Sequence, residues 1–228
     1  MSKVLVDNQY LEDIRLKDRV GNPGKEGSCY FLNQKEIVKL YHIINKRQIY
    51  FDDLSSPNIS FPKDILFYYD FIAGYTMNYL MGQKIFWGFD GNLPIQDLKK
   101  MYIDIRKIIS NYPDILMDDI CLANILIDYD NLKINLIDTS LWYPSKNALS
   151  KNINKLDMVL NYALLNNNLF WLNKYRDKSR ELFEFYRLYK LGLSVPFLEM
   201  LEAIMHDVKT KFSNNVETIN DLVLIKKH

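Results

Sequence analysis

The sequence predicts an α+β protein with a small β-rich front part and a mainly helical remainder. Short β-branched and aromatic runs crowd the first third of the 228 residues, which is typical of strands. After Gly82, apolar residues recur at helical spacing instead. With 48% hydrophobic residues the chain can also bury a sizeable core, as one large domain or two small lobes.

Composition and charge exclude several classes of protein. The 29 basic residues nearly balance the 28 acidic ones, so we expect no nucleic-acid partner and no membrane partner. The longest apolar runs are far shorter than the roughly 18–20 residues of a membrane span, and the first ten residues lack the apolar stretch of a secretory signal. Cys29 and Cys121 are too few for a disulfide framework. We therefore expect a cytoplasmic protein.

The first third contains two predicted pairs of strands. The first pair is separated by Asn33-Gln34-Lys35 and is typical of a hairpin. Between the pairs, Ile43–Leu54 is predicted as a short helix that ends at the Ser55-Ser56-Pro57-Asn58 turn. The predicted strands are Cys29–Leu32, Glu36–Tyr41, Asp64–Tyr69 and Ile72–Tyr79.

The remainder of the chain is predicted to contain four helices and one two-stranded ribbon. Leu98, Met101 and Ile105 form an apolar stripe on the first helix. Two short strands, Asn124–Asp128 and Leu132–Ile137, flank a turn and form the ribbon. The predicted helices are Gln96–Tyr112, Ile153–Leu165, Leu169–Leu191 and Val195–Phe212.

A glycine-rich stretch and a strand lysine are the first candidate functional features. Gly21, Gly24 and Gly27 form a G-x-x-G-x-x-G pattern just before the first hairpin. Glycines let backbone N–H groups approach phosphate oxygens closely, although the stretch taken alone fits an ordinary surface turn better. Lys39 lies among apolar residues of a strand, so it points either into a cleft or to solvent at a sheet edge.

Acidic and amide side chains around the ribbon form the second feature. Asp119 precedes Asn124 by five positions, and Asp138 follows on the other arm of the ribbon. Because a ribbon folds back on itself, Asn124 and Asp138 can share one small volume. Carboxylate and amide oxygens suit Mg²⁺, which binds substrate phosphates. Turn and capping chemistry is the alternative explanation.

Taken in order, these features resemble the protein kinase superfamily. Glycine loop, strand lysine, D-x-x-x-x-N loop and later Asp follow one another from about Gly21 to Asp138. The stretch Thr76–Gly82 looks like the gatekeeper and hinge of a kinase. The resemblance implies a two-lobed protein kinase-like fold in a single domain of residues 1–228. Its N-lobe is 1–77, its hinge 78–83 and its C-lobe 84–228, with a reduced activation segment.

The resemblance also implies ATP and Mg²⁺ as cofactors and a role for each matching residue. Asp119 and Lys39 are implied as the catalytic residues, Asp119 accepting or orienting the proton of the attacking hydroxyl. Asn124 and Asp138 are implied as the metal ligands. The implied nucleotide-binding residues are Gly21, Gly24, Gly27, Cys29, Lys39, Met77, Asn78, Leu80 and Leu126.

Several positions depart from the kinase pattern. Asn22 stands where the usual first glycine would be, and Ile37 replaces the usual small residue two before the lysine. The catalytic loop is Met117-Asp118-Asp119 instead of His-Arg-Asp, and Asp138 is followed by Thr139-Ser140 instead of Phe-Gly. No A-P-E sequence follows, so we expect a short or missing peptide-docking segment.

The usual glutamate partner of the lysine is also missing, because no Glu occurs between Glu36 and Glu181. Asp52 or Asp53 is the available substitute, unless both are simply solvated acids.

The resulting expectation is an ATP- and Mg²⁺-dependent phosphotransferase acting on a hydroxyl. A Ser/Thr protein kinase is favoured slightly over a small-molecule kinase of the aminoglycoside or choline type, so the acceptor is a hydroxyl-bearing protein or small molecule. A pseudokinase that binds nucleotide or a partner without catalysis is the alternative from another class. A helical interaction protein without a nucleotide site would require the motif order to be accidental.

Overall fold

The computed structural model describes residues 2–45, 49, 54–86, 88–166, 184, 187–188, 191, 193, 195–212 and 215–222. The strands are β1 (Ser2–Leu5), β2 (Gly27–Phe31), β3 (Glu36–Asn45), β4 (Pro62–Tyr68), β5 (Phe71–Asn78), β6 (Gln83–Lys84), β7 (Ile115–Leu116), β8 (Ile125–Asp128), β9 (Lys133–Leu136) and β10 (Tyr143–Pro144). The helices are α1 (Asn8–Arg15), α2 (Ile95–Ser110), α3 (Ala148–Asn166), α4 (Phe197–Phe212) and α5 (Ile219–Leu222), with a 3₁₀ turn at Thr139–Leu141.

The described residues divide into two units. The first contains the residues up to Met81 together with Met117–Asp119 and Asn135–Pro144, and the second contains Gly82–Leu116, Ile120–Ile134 and the residues from Ser145 onward.

A five-stranded sheet in the order β1-β4-β5-β3-β2 forms the frame of the first unit. Strand β1 pairs in parallel with β4, whereas the other neighbours are antiparallel. Within this sheet Lys39 of β3 lies opposite Cys29 on one side and Tyr75 on the other. The lysine is therefore carried by an interior strand and not by a sheet edge.

Helix α1 packs on the sheet of the first unit through one apolar face. Asp7 begins the helix, since its side chain accepts a hydrogen bond from the Tyr10 N–H at 2.8 Å. Leu11 and Ile14, three residues apart, are buried on the same face. They join a core cluster with buried residues of β2, β3, β4 and β5: Tyr30, Val38, Leu40, Leu66 and Ala73.

A second group of contacts within the first unit joins the residues before β4 to the end of β9. Ile59 forms a parallel bridge with Leu136, and the backbone of Ser60 donates to the Leu136 carbonyl at 2.9 Å. The buried amides of Asn58 and Asn135 are hydrogen-bonded to each other at 3.1 Å. These contacts fix the backbone that runs directly into Asp138.

Helices α2, α3 and α4 form the core of the second unit. The Tyr102 hydroxyl of α2 donates to the Asp157 carboxylate of α3 at 2.6 Å, and the Tyr102 ring lies 5.1 Å from the Phe197 ring of α4. Strand β6 pairs antiparallel with β8 in the same unit, within a three-stranded sheet whose third strand is β9. The buried apolar residues of these helices include Leu98, Met101, Ile105, Leu156, Leu160, Leu201 and Ile204.

The predicted helix Ile43–Leu54 is wrong at its start. Strand β3 continues to Asn45, which pairs with Ile72 of β5 after a register shift. The β-branched pair Ile43-Ile44 favours extended backbone when a neighbouring strand is available. Residues 46–48 and 50–53 lie outside the described residues, and so does most of the predicted helix Leu169–Leu191.

No helix among the described residues is long and apolar enough to cross a bilayer.

Candidate functional site

Lys39 is a buried cation on the central part of the first unit's sheet. The residue is only 5% exposed. The Lys39 Nζ lies 5.8 Å from the ring centre of Tyr41 and 6.0 Å from that of Tyr75. Aromatic faces attract an ammonium group, but a buried charge also needs a carboxylate partner.

Asp138 is that partner, 99 positions further along the chain. Its Oδ1 accepts a hydrogen bond from the Lys39 ammonium, and it also accepts from the Ser140 hydroxyl at 3.1 Å. The Tyr75 hydroxyl lies 3.5 Å from the same oxygen. The structure thus brings together two residues that the sequence predicted as one site.

The backbone of Asp138 adopts an uncommon conformation. Its φ of 58° and ψ of 59° lie in the left-handed region, which Asp and Asn tolerate better than most residues. Thr139 holds the turn that follows, because its hydroxyl donates to the Ser60 carbonyl at 3.0 Å. Such a conformation, held by its surroundings, is frequent at functional sites.

Tyr75 stays a neutral hydrogen-bond donor at this site. Burial raises the pKa of Tyr75 well above its usual value, and the nearby Asp138 carboxylate raises it further. The phenol therefore keeps its proton across the physiological pH range and can donate to Asp138. Tyr75 and Ser140 were not predicted as site residues; only their placement in the fold identifies them.

The glycine-rich stretch forms the loop of a short hairpin. The Val20 N–H donates to the Cys29 carbonyl and the Phe31 N–H to the Asp18 carbonyl, both at 2.9 Å, so residues 18–20 run antiparallel to β2. The loop between them contains Gly21, Gly24 and Gly27. The Gly24 N–H donates to the Gly27 carbonyl at 2.9 Å.

Gly21 and Gly27 are glycines for different structural reasons. Gly21 has a φ of +68°, which favours glycine. Gly27 lies at the start of β2, where a Cβ would lie 2.3 Å from the Leu40 carbonyl oxygen. A side chain at Gly27 would therefore push β2 and β3 apart.

Glu26, inside this loop, is a site residue that the sequence analysis missed. Its Oε2 lies 3.9 Å from the Lys39 Nζ, and its side chain is 30% exposed. An acidic residue directly before the last loop glycine was the available signal, but its direction depends on the loop conformation. The proposed substitutes Asp52 and Asp53 lie outside the described residues.

Three of the predicted nucleotide-binding residues, Met77, Asn78 and Leu80, lie at the end of β5 and just beyond it. Met77 is 3% exposed. The Asn78 carbonyl accepts a hydrogen bond from the Ser60 hydroxyl at 2.7 Å, and Leu80 is half-buried after the strand. The Met81 carbonyl accepts from the Asn135 amide at 2.9 Å. Cys29, opposite Lys39, is half-buried on β2.

The remaining predicted site residues are divided between the units. Asp119 belongs to the first unit and is half-buried. Asn124 and Leu126 belong to the second. The Asn124 N–H donates to the Cys121 carbonyl at 3.0 Å, and Leu126 is buried on β8. Among the described residues, no group of three or more His, Cys, Asp or Glu side chains is arranged to hold a metal ion.

Comparisons with known proteins identify the fold. No protein-family model and no curated protein sequence matches the chain. Among solved structures, an apo pseudokinase matches with a TM-score of 0.52 at 12% identity, covering 91% of this chain and 97% of that one. The kinase PK-1 of the Cydia pomonella granulovirus matches with a TM-score of 0.43 at 15% identity, covering 60% of this chain and 58% of that one.

The match that covers both chains almost completely shows a protein kinase-like fold, and it confirms the predicted fold class. At 12% identity it carries information about the fold alone.

Proposed function

We propose that this protein is an ATP- and Mg²⁺-dependent phosphotransferase that transfers the γ-phosphate to a hydroxyl group. The observation that supports this most is the pairing of Lys39 with Asp138 on the sheet that also carries the glycine-rich loop. A buried lysine and a carboxylate in a strained turn are costly unless function requires them. Phosphoryl transfer needs both charges, one for the phosphates and one for the metal.

Lys39 would bind the α- and β-phosphates of the nucleotide. Its ammonium is already fixed by the sheet and by two aromatic rings, so little conformational freedom is lost when a phosphate takes the place of Asp138. The loop glycines Gly21, Gly24 and Gly27 would cover the phosphates through backbone N–H groups. The adenine ring would lie against Cys29, Met77 and Leu126 and bind backbone groups of Asn78 and Leu80.

The donor atoms of Asp138 suit Mg²⁺. They are hard carboxylate oxygens, and the Ser140 hydroxyl and the neutral Tyr75 hydroxyl support one of them from the protein side. Asn124 remains the predicted second ligand. When bound, Mg²⁺ offsets negative charge on the phosphates.

Asp119 would act on the acceptor. The acceptor oxygen forms a bond to the γ-phosphorus while the bond to the β–γ bridging oxygen breaks, and ADP leaves. The proton of the acceptor hydroxyl goes to the Asp119 carboxylate, or is directed by it.

We propose a Ser or Thr hydroxyl of a protein as the acceptor, as the sequence analysis favoured. Between Asp138 and the start of α3 at Ala148 the chain forms one 3₁₀ turn and a two-residue strand. Such a short segment offers little surface for docking a peptide, so transfer to a small hydroxyl compound is the second outcome to be measured.

Asp119→Asn tests the proposal, with Asp118→Asn as the matched control. The purified 228-residue protein is incubated with γ-labelled ATP and Mg²⁺, alone, with mixed protein acceptors and with small hydroxyl compounds. We expect Asp119→Asn to lower transfer by about 100-fold or more and to leave nucleotide affinity nearly unchanged. The exposed neighbour Asp118 should tolerate the change.

No transfer by the parent to any acceptor would contradict the proposal. Equal rates of phosphate transfer by Asp119→Asn and the parent would show that Asp119 does not accept or direct the proton of the acceptor hydroxyl.

A pseudokinase is the second candidate, and departures from the kinase pattern favour it. Asn22 stands where the usual first glycine of the loop would be, and Thr139-Ser140 stands where Phe-Gly is usual after the metal-binding Asp. Mg²⁺-dependent binding of ATP without transfer to any acceptor would identify the pseudokinase.

A further inference from the structure

The ammonium of Lys39 is shared by two carboxylates, and only one of them belongs to the predicted site. Asp138 accepts its hydrogen bond, and Glu26 approaches the same Nζ to 3.9 Å. A buried ammonium that loses its carboxylate is strongly destabilising, because the charge then remains uncompensated away from water. Lys39, at 5% exposure, is subject to this cost.

The backbone on both sides of Glu26 is fixed by hydrogen bonds to β3 and within the loop. The Glu26 carbonyl accepts from the His42 N–H at 2.9 Å. The Gly24 carbonyl lies 3.1 Å from Nε2 of the His42 ring, which can donate to it. Gly27 leaves no room for a side chain beside the Leu40 carbonyl. The loop backbone therefore holds Glu26 beside Lys39.

Nucleotide binding changes the partners of Lys39. If Asp138 turns its oxygens to Mg²⁺, the lysine loses the carboxylate that holds it in the nucleotide-free protein. Among the described residues, Glu26 is the other carboxylate within ion-pair distance of Lys39. It lies on the same loop that would cover the phosphates, so it stays beside Lys39 when nucleotide is bound.

We propose that Glu26 is the positioning residue of Lys39. The glycine-rich loop itself supplies a carboxylate that orients the lysine toward the phosphates. This inference rests on the proposed phosphotransferase function. It deepens that function by giving the loop a second role, because the loop would then both cover the phosphates and hold their cation in place.

Glu26→Gln is the central variant, because it keeps the length and shape of the side chain and removes the charge. We expect its affinity for Mg²⁺·ATP, measured by calorimetry, to fall about tenfold, since a charge-assisted contact to a partly buried group is lost. Glu26→Asp should recover part of the loss. Glu12→Gln, which changes an exposed glutamate on α1, is the matched control.

A double-mutant cycle separates positioning from a structural role. In a Lys39→Met background, Glu26→Gln should cause no further loss of affinity, because its target is gone. The same four proteins are unfolded in urea without nucleotide. We expect the two substitutions to be coupled, with the coupling changing the unfolding equilibrium constant by about threefold or more.

The outcomes distinguish this inference from the proposed function. If the parent binds no Mg²⁺·ATP, the proposed function is contradicted, and so is the role of Glu26 in nucleotide binding. The double-mutant cycle in urea then still tests whether Glu26 and Lys39 form an ion pair. A parent that binds, with Glu26→Gln binding equally or more tightly, overturns the role of Glu26 alone. Absence of coupling in urea overturns it as well.

Discussion

Asp138 combines a charge with a backbone conformation, and the two requirements can be separated by mutation. Its left-handed φ and ψ disfavour residues with an ordinary Cβ by roughly 1–2 kcal/mol, whereas Asn adopts this region nearly as readily as Asp. An alanine at this position would therefore change the stability of the turn as well as the charge. Asparagine keeps the shape and removes the charge alone.

Asp138→Asn should abolish Mg²⁺-dependent binding of ATP, and it should also lower the free energy of unfolding, because Glu26 at 3.9 Å is then the carboxylate that remains near the buried Lys39 ammonium. The Asn carbonyl oxygen can still accept from Lys39, but it is a much weaker ligand for a divalent cation. Asp138→Ala should lose binding too, and its free energy of unfolding should be lower than that of the Asn variant by about 1 kcal/mol. Calorimetric titration and urea unfolding measure the two effects. Unchanged Mg²⁺·ATP affinity in Asp138→Asn would remove this residue from the metal site.

At the level of residues, the sequence predicted only those site residues that belong to a recognisable order of motifs. Lys39 and Asp138 were predicted together because their spacing followed a known order, although they lie 99 positions apart. Glu26 and Ser140 belong to the same cluster, yet their contacts depend on how a loop and a left-handed turn direct their side chains. Those directions are set by tertiary contacts, such as the hydrogen bond between Thr139 and Ser60.

At the level of elements, the hairpin that carries the glycine-rich loop depends on close approach of two backbones. Strand β2 lies so near β3 at Gly27 that a Cβ there would meet the Leu40 carbonyl oxygen at 2.3 Å. At Gly24 the nearest atom to such a Cβ is the Gly27 oxygen at 3.2 Å, which a small loop adjustment can relieve. Packing therefore requires glycine at position 27, whereas at position 24 it leaves almost enough room for an alanine side chain.

Gly27→Ala should destabilise the protein by about 3 kcal/mol, as overpacking against backbone does. Gly24→Ala should cost about 1 kcal/mol at most, and it serves as the control. If Gly24 is needed for approach to phosphates, Gly24→Ala should nevertheless lower nucleotide affinity. Urea unfolding and calorimetry of both variants separate the two roles. Equal free energies of unfolding for the two variants would contradict the packing argument.

The strand pairs of the first unit could be predicted because their turns lie between alternating runs. The Glu36–Asn45 strand begins where the sequence indicated, after an Asn33 side chain that accepts from the Lys35 N–H. Strand β1 could not be predicted, because its partner β4 is about sixty positions away and parallel pairing has no local signal. Helix α1 had a usable signal, since Asp7 precedes Leu11 and Ile14 at capping and helical spacing.

At the scale of the whole molecule, stability depends on the helical unit as well as on the sheet, and one carboxylate there joins three helices. Asp157 of α3 accepts hydrogen bonds from the Tyr102 hydroxyl of α2 and from the backbone N–H of Phe197, the first residue of α4. The residue is only 3% exposed. The helical periodicity predicted the apolar faces of these helices but gave no sign of this polar junction.

The Asp157 carboxyl makes the stability of the protein depend on pH. Burial raises the pKa of Asp157 above its ordinary value, although the Tyr102 hydroxyl and the Arg106 charge lower it in part. A folded-state pKa above the unfolded one means that the folded protein favours the protonated acid. The stabilisation is then complete below the unfolded pKa, about 4, and is lost as the pH rises through the folded value.

Asp157→Asn should remove this dependence, because the amide oxygen still accepts from Tyr102 and carries no charge to bury. Relative to the parent, we expect its free energy of unfolding to be higher at pH 7 than at pH 4. Asp104→Asn, an exposed acid on α2, is the matched control and should follow the parent at both values. Urea unfolding across this pH range measures the difference. If the free energies of unfolding of Asp157→Asn and the parent differ by the same amount at every pH, the carboxyl has the same pKa in the folded and unfolded chains. Asp157 would then join the three helices only as a hydrogen-bond acceptor.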